Sequence, residues 1–222
     1  MRILIAGIAS LLIAGLALAG RAEAAEYRLL EIGGLNVKWG SPQAGRGAEV
    51  SYGFATASQA FPDAVNCRAL APIDRLAGGW DRERLAPIAA QAFGLWSAIA
   101  DIRFRPAAPG ETPDILIGAQ GTPDHIGFAN VWPDRTRAER GVAPLARATI
   151  CLNPDLVWVP DNAGPGQADL GTVLAHEIGH ALGLDHPGPV GALMGYRDQG
   201  DIDALMAGDI AGTVALYGRP GG

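Results

Sequence analysis

The chain has 222 residues, 49% of them apolar and 18% charged, which suits one sizeable domain with a buried core and excludes a many-domain assembly or a disordered polypeptide. Gly (31) and Pro (16) recur without a Gly-X-Y period, so long loops are expected and a collagen-like rod is not. The formal net charge is −6 and the 17 basic residues stand singly, all but Lys38 being Arg, so nucleic acid is not an expected partner.

Arg2 precedes the apolar run Ile3 to Ala19, and the small-x-small sequence Ala22-Glu23-Ala24 follows. That order reads as a secretory signal peptide over residues 1–24, cut after Ala24, with 25–222 exported as a single domain, secreted or periplasmic. The rival is an uncleaved anchor, because the run lies at the short limit of a bilayer span. The remainder has no second stretch of that length, so no stable membrane association is expected after cleavage. Near absence of Lys beside abundant Ala, Gly, Arg and Pro suggests a GC-rich bacterial genome. In an oxidising compartment the two cysteines, Cys67 and Cys151, favour one disulfide closing a long loop; the alternative is a pair of buried thiols.

Residues 25–47 are mixed and Gly-rich, and Ala48–Ala55 alternates in the manner of a half-buried first strand. Pro, Gly and Asn recur without period from Ser58 to Gly79, a long loop carrying Cys67. Trp80–Ala100 places Leu85, Ile88, Phe93, Trp96 and Ile99 near helical spacing, with Asp81 near the start and Pro87 marking either the start or a bend. Asp101–Pro106, Asp114–Gly118, Ile126–Trp132 and Ala148–Leu152 read as four further strands. Leu170–Leu184 returns to helical period, and Gly208–Tyr217 closes the chain as a third helix.

Three of the four histidines lie in the segment His176-Glu-Ile-Gly-His180-Ala-Leu-Gly183-Leu-Asp-His186. On a helix, positions i and i+4 share a face with Cβ atoms about 5–6 Å apart, so His176 and His180 can reach one metal ion. His186 is too far along for the same straight helix, and Gly183 offers the turn that brings it back, because glycine tolerates positive φ. Three imidazoles leave a fourth zinc position open for water, and no fourth Cys or His stands nearby to close a structural site. Glu177 is rotated out of the ligand row yet stays beside the metal, where it can take a proton from a zinc-activated water and return it to a leaving amine.

HEIGHALGLDH resembles the extended zinc signature of the metzincin metallopeptidases, and within them the chain is most similar to the matrixin and serralysin group. Lys38-Trp-Gly-Ser, Ala92-Phe-Gly-Leu-Trp-Ser97 and Asp209-Ile-Ala-Gly-Thr-Val-Ala-Leu-Tyr-Gly218 resemble further segments of that catalytic domain, in the expected order. The resemblance implies an α+β fold with a twisted, mostly parallel sheet, an antiparallel edge strand and three helices. It implies one catalytic zinc on His176, His180 and His186, catalysis by Glu177, and a structural methionine, Met194, in a turn beneath the metal. Tyr196 stands where serralysins supply a fifth metal ligand or an oxyanion donor; the alternative is a tyrosine packing the pocket wall.

The implied function is a zinc-dependent endopeptidase that hydrolyses extended polypeptides as a monomer. Its substrate would pair with an edge strand at Gly127, Phe128 and Ala129, and Val173 would help line the specificity pocket. Ordinary sheet edge is the alternative for that strand. Asn130 stands where animal matrixins carry a ligand to a second zinc, so no second zinc is expected, and His125 reads as a surface loop residue. The cysteine-switch segment of latent matrixins and the Gly/Asp calcium repeats of serralysins are missing, which reads as a catalytic domain alone. Calcium is left unassigned, with Asp124, Asp134, Asp155 and Asp161 the acidic loop residues available.

Overall fold

The computed structural model describes residues 26–188, 192–195 and 204–221. In chain order its elements are β1 (Arg28–Leu29), β2 (Asn36–Lys38), β3 (Ala48–Phe54), β4 (Gln59–Ala60), β5 (Ala69–Ala71), α1 (Arg82–Ser97), β6 (Ile102–Pro106), β7 (Ile115–Gln120), β8 (Gly127–Pro133), β9 (Val142–Leu152), β10 (Val157–Val159), β11 (Gln167–Asp169), α2 (Leu170–Leu182), β12 (Leu184–Asp185) and α3 (Ala207–Tyr217). The main sheet runs β6, β3, β7, β9, all parallel, with β8 antiparallel on the far side of β9. This is the mostly parallel sheet with an antiparallel edge and three helices that the resemblance implies.

The strand at 48–54 is preceded by β1 and β2, two short pieces hidden in the Gly-rich opening. Neither has a hydrophobic period of its own, because each is defined by its partner: β1 lies antiparallel to β12, and β2 parallel to the start of β9. The stretch 58–79 is likewise not a bare loop, since β4 and β5 form a hairpin whose second strand pairs with the end of β7. Helix α1 starts at Arg82, where the Asp81 carboxylate accepts the Arg84 N–H at 2.8 Å, so Pro87 marks no start and lies within the helix. Strand β9 begins six residues earlier than its apolar core suggests, reaching across Pro144 to serve both β2 and β8.

Helices α1 and α2 lie on one face of the sheet over a core containing Trp39, Phe93, Trp96, Ile117, Ile150, Leu174 and Tyr217. Three aromatic donors tie α2 into this core: Trp96 Nε1 donates to the Ala175 carbonyl (3.0 Å), Trp39 Nε1 to Ala181 (2.8 Å) and Tyr217 Oη to Leu182 (2.7 Å). The last two satisfy carbonyls that a helix end leaves without a partner. The sheet's other face carries a smaller cluster of Ala55, Phe61, Ala64, Leu70 and the disulfide Cys67–Cys151, which joins the hairpin region to β9.

Lys38 is fully buried, with Nζ donating to the Trp39 (2.6 Å) and Ser41 (2.9 Å) carbonyls and lying 5.0 Å from the Tyr217 ring centre. Burial pulls its pKa down to about 8, and both hydrogen bonds survive deprotonation because a neutral amine keeps two N–H groups. The unfolded chain therefore binds the extra proton between pH 8 and 10.5, so folding gains stability as pH rises through that window. The unfolding free energy of the wild type is expected to rise there relative to Lys38→Met, measured by denaturant titration at each pH; parallel curves would contradict it. Replacing both cysteines by Ser is expected to cost about 2–4 kcal/mol, because the bridge constrains a long loop in the unfolded chain. Matched urea midpoints for the two proteins would exclude that contribution.

Candidate active site

Helix α2 opens with Asp169, whose carboxylate accepts the Thr172 N–H at 2.8 Å, and closes at Gly183, which has φ 103°. A side chain at 183 would be strained by that φ and would run into the Val37 carbonyl, so glycine is required twice over. The chain turns there and is strapped by the N-terminal segment. Leu30 N–H donates to the Gly183 carbonyl (2.8 Å), β1 pairs with β12, and Arg28 meets Asp185 at 3.0 Å. Asp185 in turn accepts the His186 N–H at 2.8 Å. The third histidine is thereby returned to the helix face that carries the first two.

His176 Nε2 and His180 Nε2 lie 3.1 and 3.0 Å from His186 Nε2. The opposite nitrogen of His176 is 2.7 Å from the Leu193 carbonyl, and that of His180 is 2.9 Å from the Leu184 carbonyl. A carbonyl only accepts, so both Nδ1 atoms carry the proton and both Nε2 atoms present lone pairs. His186 Nε2 has one proton at most to share between two acceptors, so this crowding suits a cation. Burial lowers all three pKa values, that of His180 to about 3, which keeps the imidazoles neutral as metal ligands must be. Tetrahedral zinc with Zn–N of about 2.0–2.1 Å sets its ligand nitrogens about 3.3 Å apart, close to the spacing here. The three residues therefore fit the ion, and among the described residues they are the cluster able to hold one.

Glu177 is 6% exposed and lies in the same cleft. The Ala129 N–H of β8 acts on its carboxyl, while Oε2 has no hydrogen-bond partner among the described residues. Burial pushes the carboxyl up to about 8, against the pull of that N–H, and a cation on the imidazoles would favour the charged form. The cleft measures about 1060 Å³. Gly127, Phe128, Ala129 and Val173, the expected substrate-binding residues, all line it. A Cβ at Gly127 would stand 3.1 Å from Glu177 Oε1, so the bare backbone lets β8 approach the acid. His125 is exposed in the loop before β8, as expected, and also borders the cleft.

Met194 is buried against α2, where Gly179 leaves room for its sulfur; a Cβ at 179 would collide with it. Tyr196 lies outside the described residues, as does the proposed cleavage point at Ala24. Asn130, at the position compared with a second zinc ligand, bonds protein groups: its Oδ1 accepts the Asn66 N–H (2.9 Å) and its Nδ2 donates to the Cys67 carbonyl (3.3 Å). Sequence reasoning missed Asp209. This buried acid in the first turn of α3 accepts the N–H groups of Leu193 (2.8 Å), Met194 (3.1 Å) and Met206 (2.8 Å). In sequence it reads as an ordinary acidic residue at a helix start; its apolar neighbours were the one hint that it is buried.

Residues 74–218 match the family model described as matrixin. The chain is 31% identical over 134 residues to a macrophage metalloelastase of Oryctolagus cuniculus, covering 59% of this chain and 28% of that protein. It is 33% identical over 134 residues to matrix metalloproteinase-19 of Mus musculus, covering 58% and 24%, and 31% identical over 136 residues to metalloendoproteinase 1-MMP of Arabidopsis thaliana, covering 58% and 36%. These alignments span about a quarter to a third of the relatives' own lengths.

Because Asp209 holds the turn whose Leu193 carbonyl orients His176, Asp209→Ala is expected to weaken zinc affinity about 10- to 100-fold. It should also cost on the order of 2–3 kcal/mol by leaving buried N–H groups without a partner. Competition against a chelating dye and urea denaturation measure the two effects, and unchanged zinc affinity would separate Asp209 from the metal centre.

Proposed function

The chain belongs to the matrixin family, and from that premise we propose that it is an exported, zinc-dependent endopeptidase that cleaves extended polypeptides. The observation that carries the reading is the buried Glu177 oxygen left without a hydrogen-bond partner among the described residues, in the cleft that the three imidazoles share. An orphaned buried carboxylate oxygen costs stability, and a site that does proton transfer has a use for it.

His176, His180 and His186 would hold the ion, with the Leu193 and Leu184 carbonyls fixing two of the rings. Zinc, when bound, supplies a Lewis acid that polarises the scissile carbonyl and makes water more acidic. Glu177 takes the proton from the attacking water at Oε2 and delivers it to the departing amine nitrogen. The Ala129 N–H of β8 favours the charged form of the acid against the effect of burial. Strand β8 binds the substrate as an added strand, and Val173 contributes to the side pocket. Tyr196 keeps its place as a candidate metal ligand or oxyanion donor.

Residues 1–24 are proposed as a cleaved signal peptide of a bacterial protein, with 25–222 acting as a monomeric catalytic domain. The disulfide supports an oxidising destination, and among the described residues no helix is long and apolar enough to cross a membrane. Mass spectrometry of the mature N-terminus tests the cut.

Unfolded casein should be cut by residues 25–222, stop being cut on addition of a zinc chelator, and be cut again when zinc is restored. Glu177→Ala should lower the rate by about 10²- to 10⁴-fold while zinc content is unchanged. Full-rate cleavage by Glu177→Ala, or cleavage indifferent to the chelator, would overturn the mechanism.

A further inference from the structure

The β8 edge is not bare at the point nearest Glu177. The Ala129 carbonyl accepts the Asn66 carboxamide at 3.1 Å, its N–H acts on the Glu177 carboxyl, and the Ile126 carbonyl is the one that accepts from the β9 side, from Asn153 N–H at 3.0 Å. Both Ala129 groups therefore point away from β9, and by the two-residue period of a strand the main-chain groups of Gly127 and Val131 face the same way. A peptide adding to this edge would bring an N–H to the Ala129 carbonyl, where Asn66 already sits.

Asn66 is held there by more than its side chain. Its N–H donates to Asn130 Oδ1, and the next residue, Cys67, is bonded to Cys151 on β9 and gives its carbonyl to Asn130 Nδ2. The backbone is anchored on two sides while the exposed side chain keeps its rotamer freedom, and Asn66 lines the cleft.

We propose that Asn66 is a specificity-determining residue: its carboxamide occupies the central main-chain acceptor of the cleft in the free protein and yields it to a peptide N–H on docking. A substrate that pairs its N–H with the Ala129 carbonyl must displace this hydrogen bond, whereas one that leaves that carbonyl unused does not, so Asn66 discriminates against the former. The proposal rests on the reading of β8 as the substrate-pairing edge.

The test compares wild type with Asn66→Ala and Asn66→Asp, since a carboxylate cannot donate to a carbonyl. The probes are a peptide derived from a casein cleavage site and versions of it N-methylated at one residue at a time across the scissile region. Loss of one competing hydrogen bond should lower KM about five-fold in both variants with kcat changed less than about two-fold. One N-methylated peptide, lacking the displacing N–H, should show equal KM in all three proteins. Fluorescence anisotropy of the labelled parent peptide on zinc-free protein, where no turnover occurs, should show the same five-fold tightening. Unchanged or higher KM in the variants, with cleavage intact, overturns the role of Asn66 alone. Tighter binding by the variants with no cleavage by zinc-loaded wild type overturns the peptidase reading and leaves Asn66 in place. Circular dichroism checks that both variants fold.

Discussion

A single left-handed residue determines where the third imidazole stands. Without positive φ at Gly183 the α-helix would carry His186 about a turn and a half beyond His180, and no ion could touch all three rings. The turn is not an isolated kink. Val37 leaves no space for a Cβ, Leu30 binds the Gly183 carbonyl, and Trp39 and Tyr217 take the neighbouring carbonyls of Ala181 and Leu182. Strands and a helix far apart in sequence thus converge on one helix terminus, so the histidine cluster inherits the rigidity of the core.

Ring orientation is set by a second layer of main-chain carbonyls. Leu193 and Leu184 fix the protonated nitrogen of His176 and His180, and so decide which nitrogen faces the centre. The Leu193 carbonyl is only as well placed as its turn, and that turn is held by Asp209 from α3. Gly179 lets Met194 pack directly against α2, closing the path from the last helix to the first of the three histidines. Packing and hydrogen bonding here serve one purpose: neutral, pre-oriented donors that need little reorganisation to bind an ion.

The cleft is asymmetric for a comparable reason. Its upper wall is the edge strand β8, whose inner side is occupied by β9 and whose outer side offers main-chain groups. The hairpin region behind the sheet is stitched to β9 by the disulfide and to β8 by Asn66 and Asn130. A segment that looks like surface covering therefore reaches the cleft that Glu177 lines and touches Ala129 on its wall.

Much of this is legible in the amino-acid sequence. The spacing of His176, His180 and His186, the glycine between the last two, and the acid beside the first are local facts, because helical periodicity and the φ preference of glycine act over a few residues. The three helices and the strands with strong apolar runs follow from the same short-range physics. Strands β1, β2, β4 and β5 did not, since two- or three-residue strands exist only through their partners. The buried role of Asp209 and the reach of Asn66 were equally hidden, because a carboxylate or carboxamide has no intrinsic preference that reveals which distant N–H or carbonyl it will meet. The sequence by itself determined the spacing of the three imidazoles and the helix that carries the first two; only the tertiary structure decided which groups orient those rings and which occupy the cleft, because such contacts are made largely by backbone atoms that every residue possesses alike.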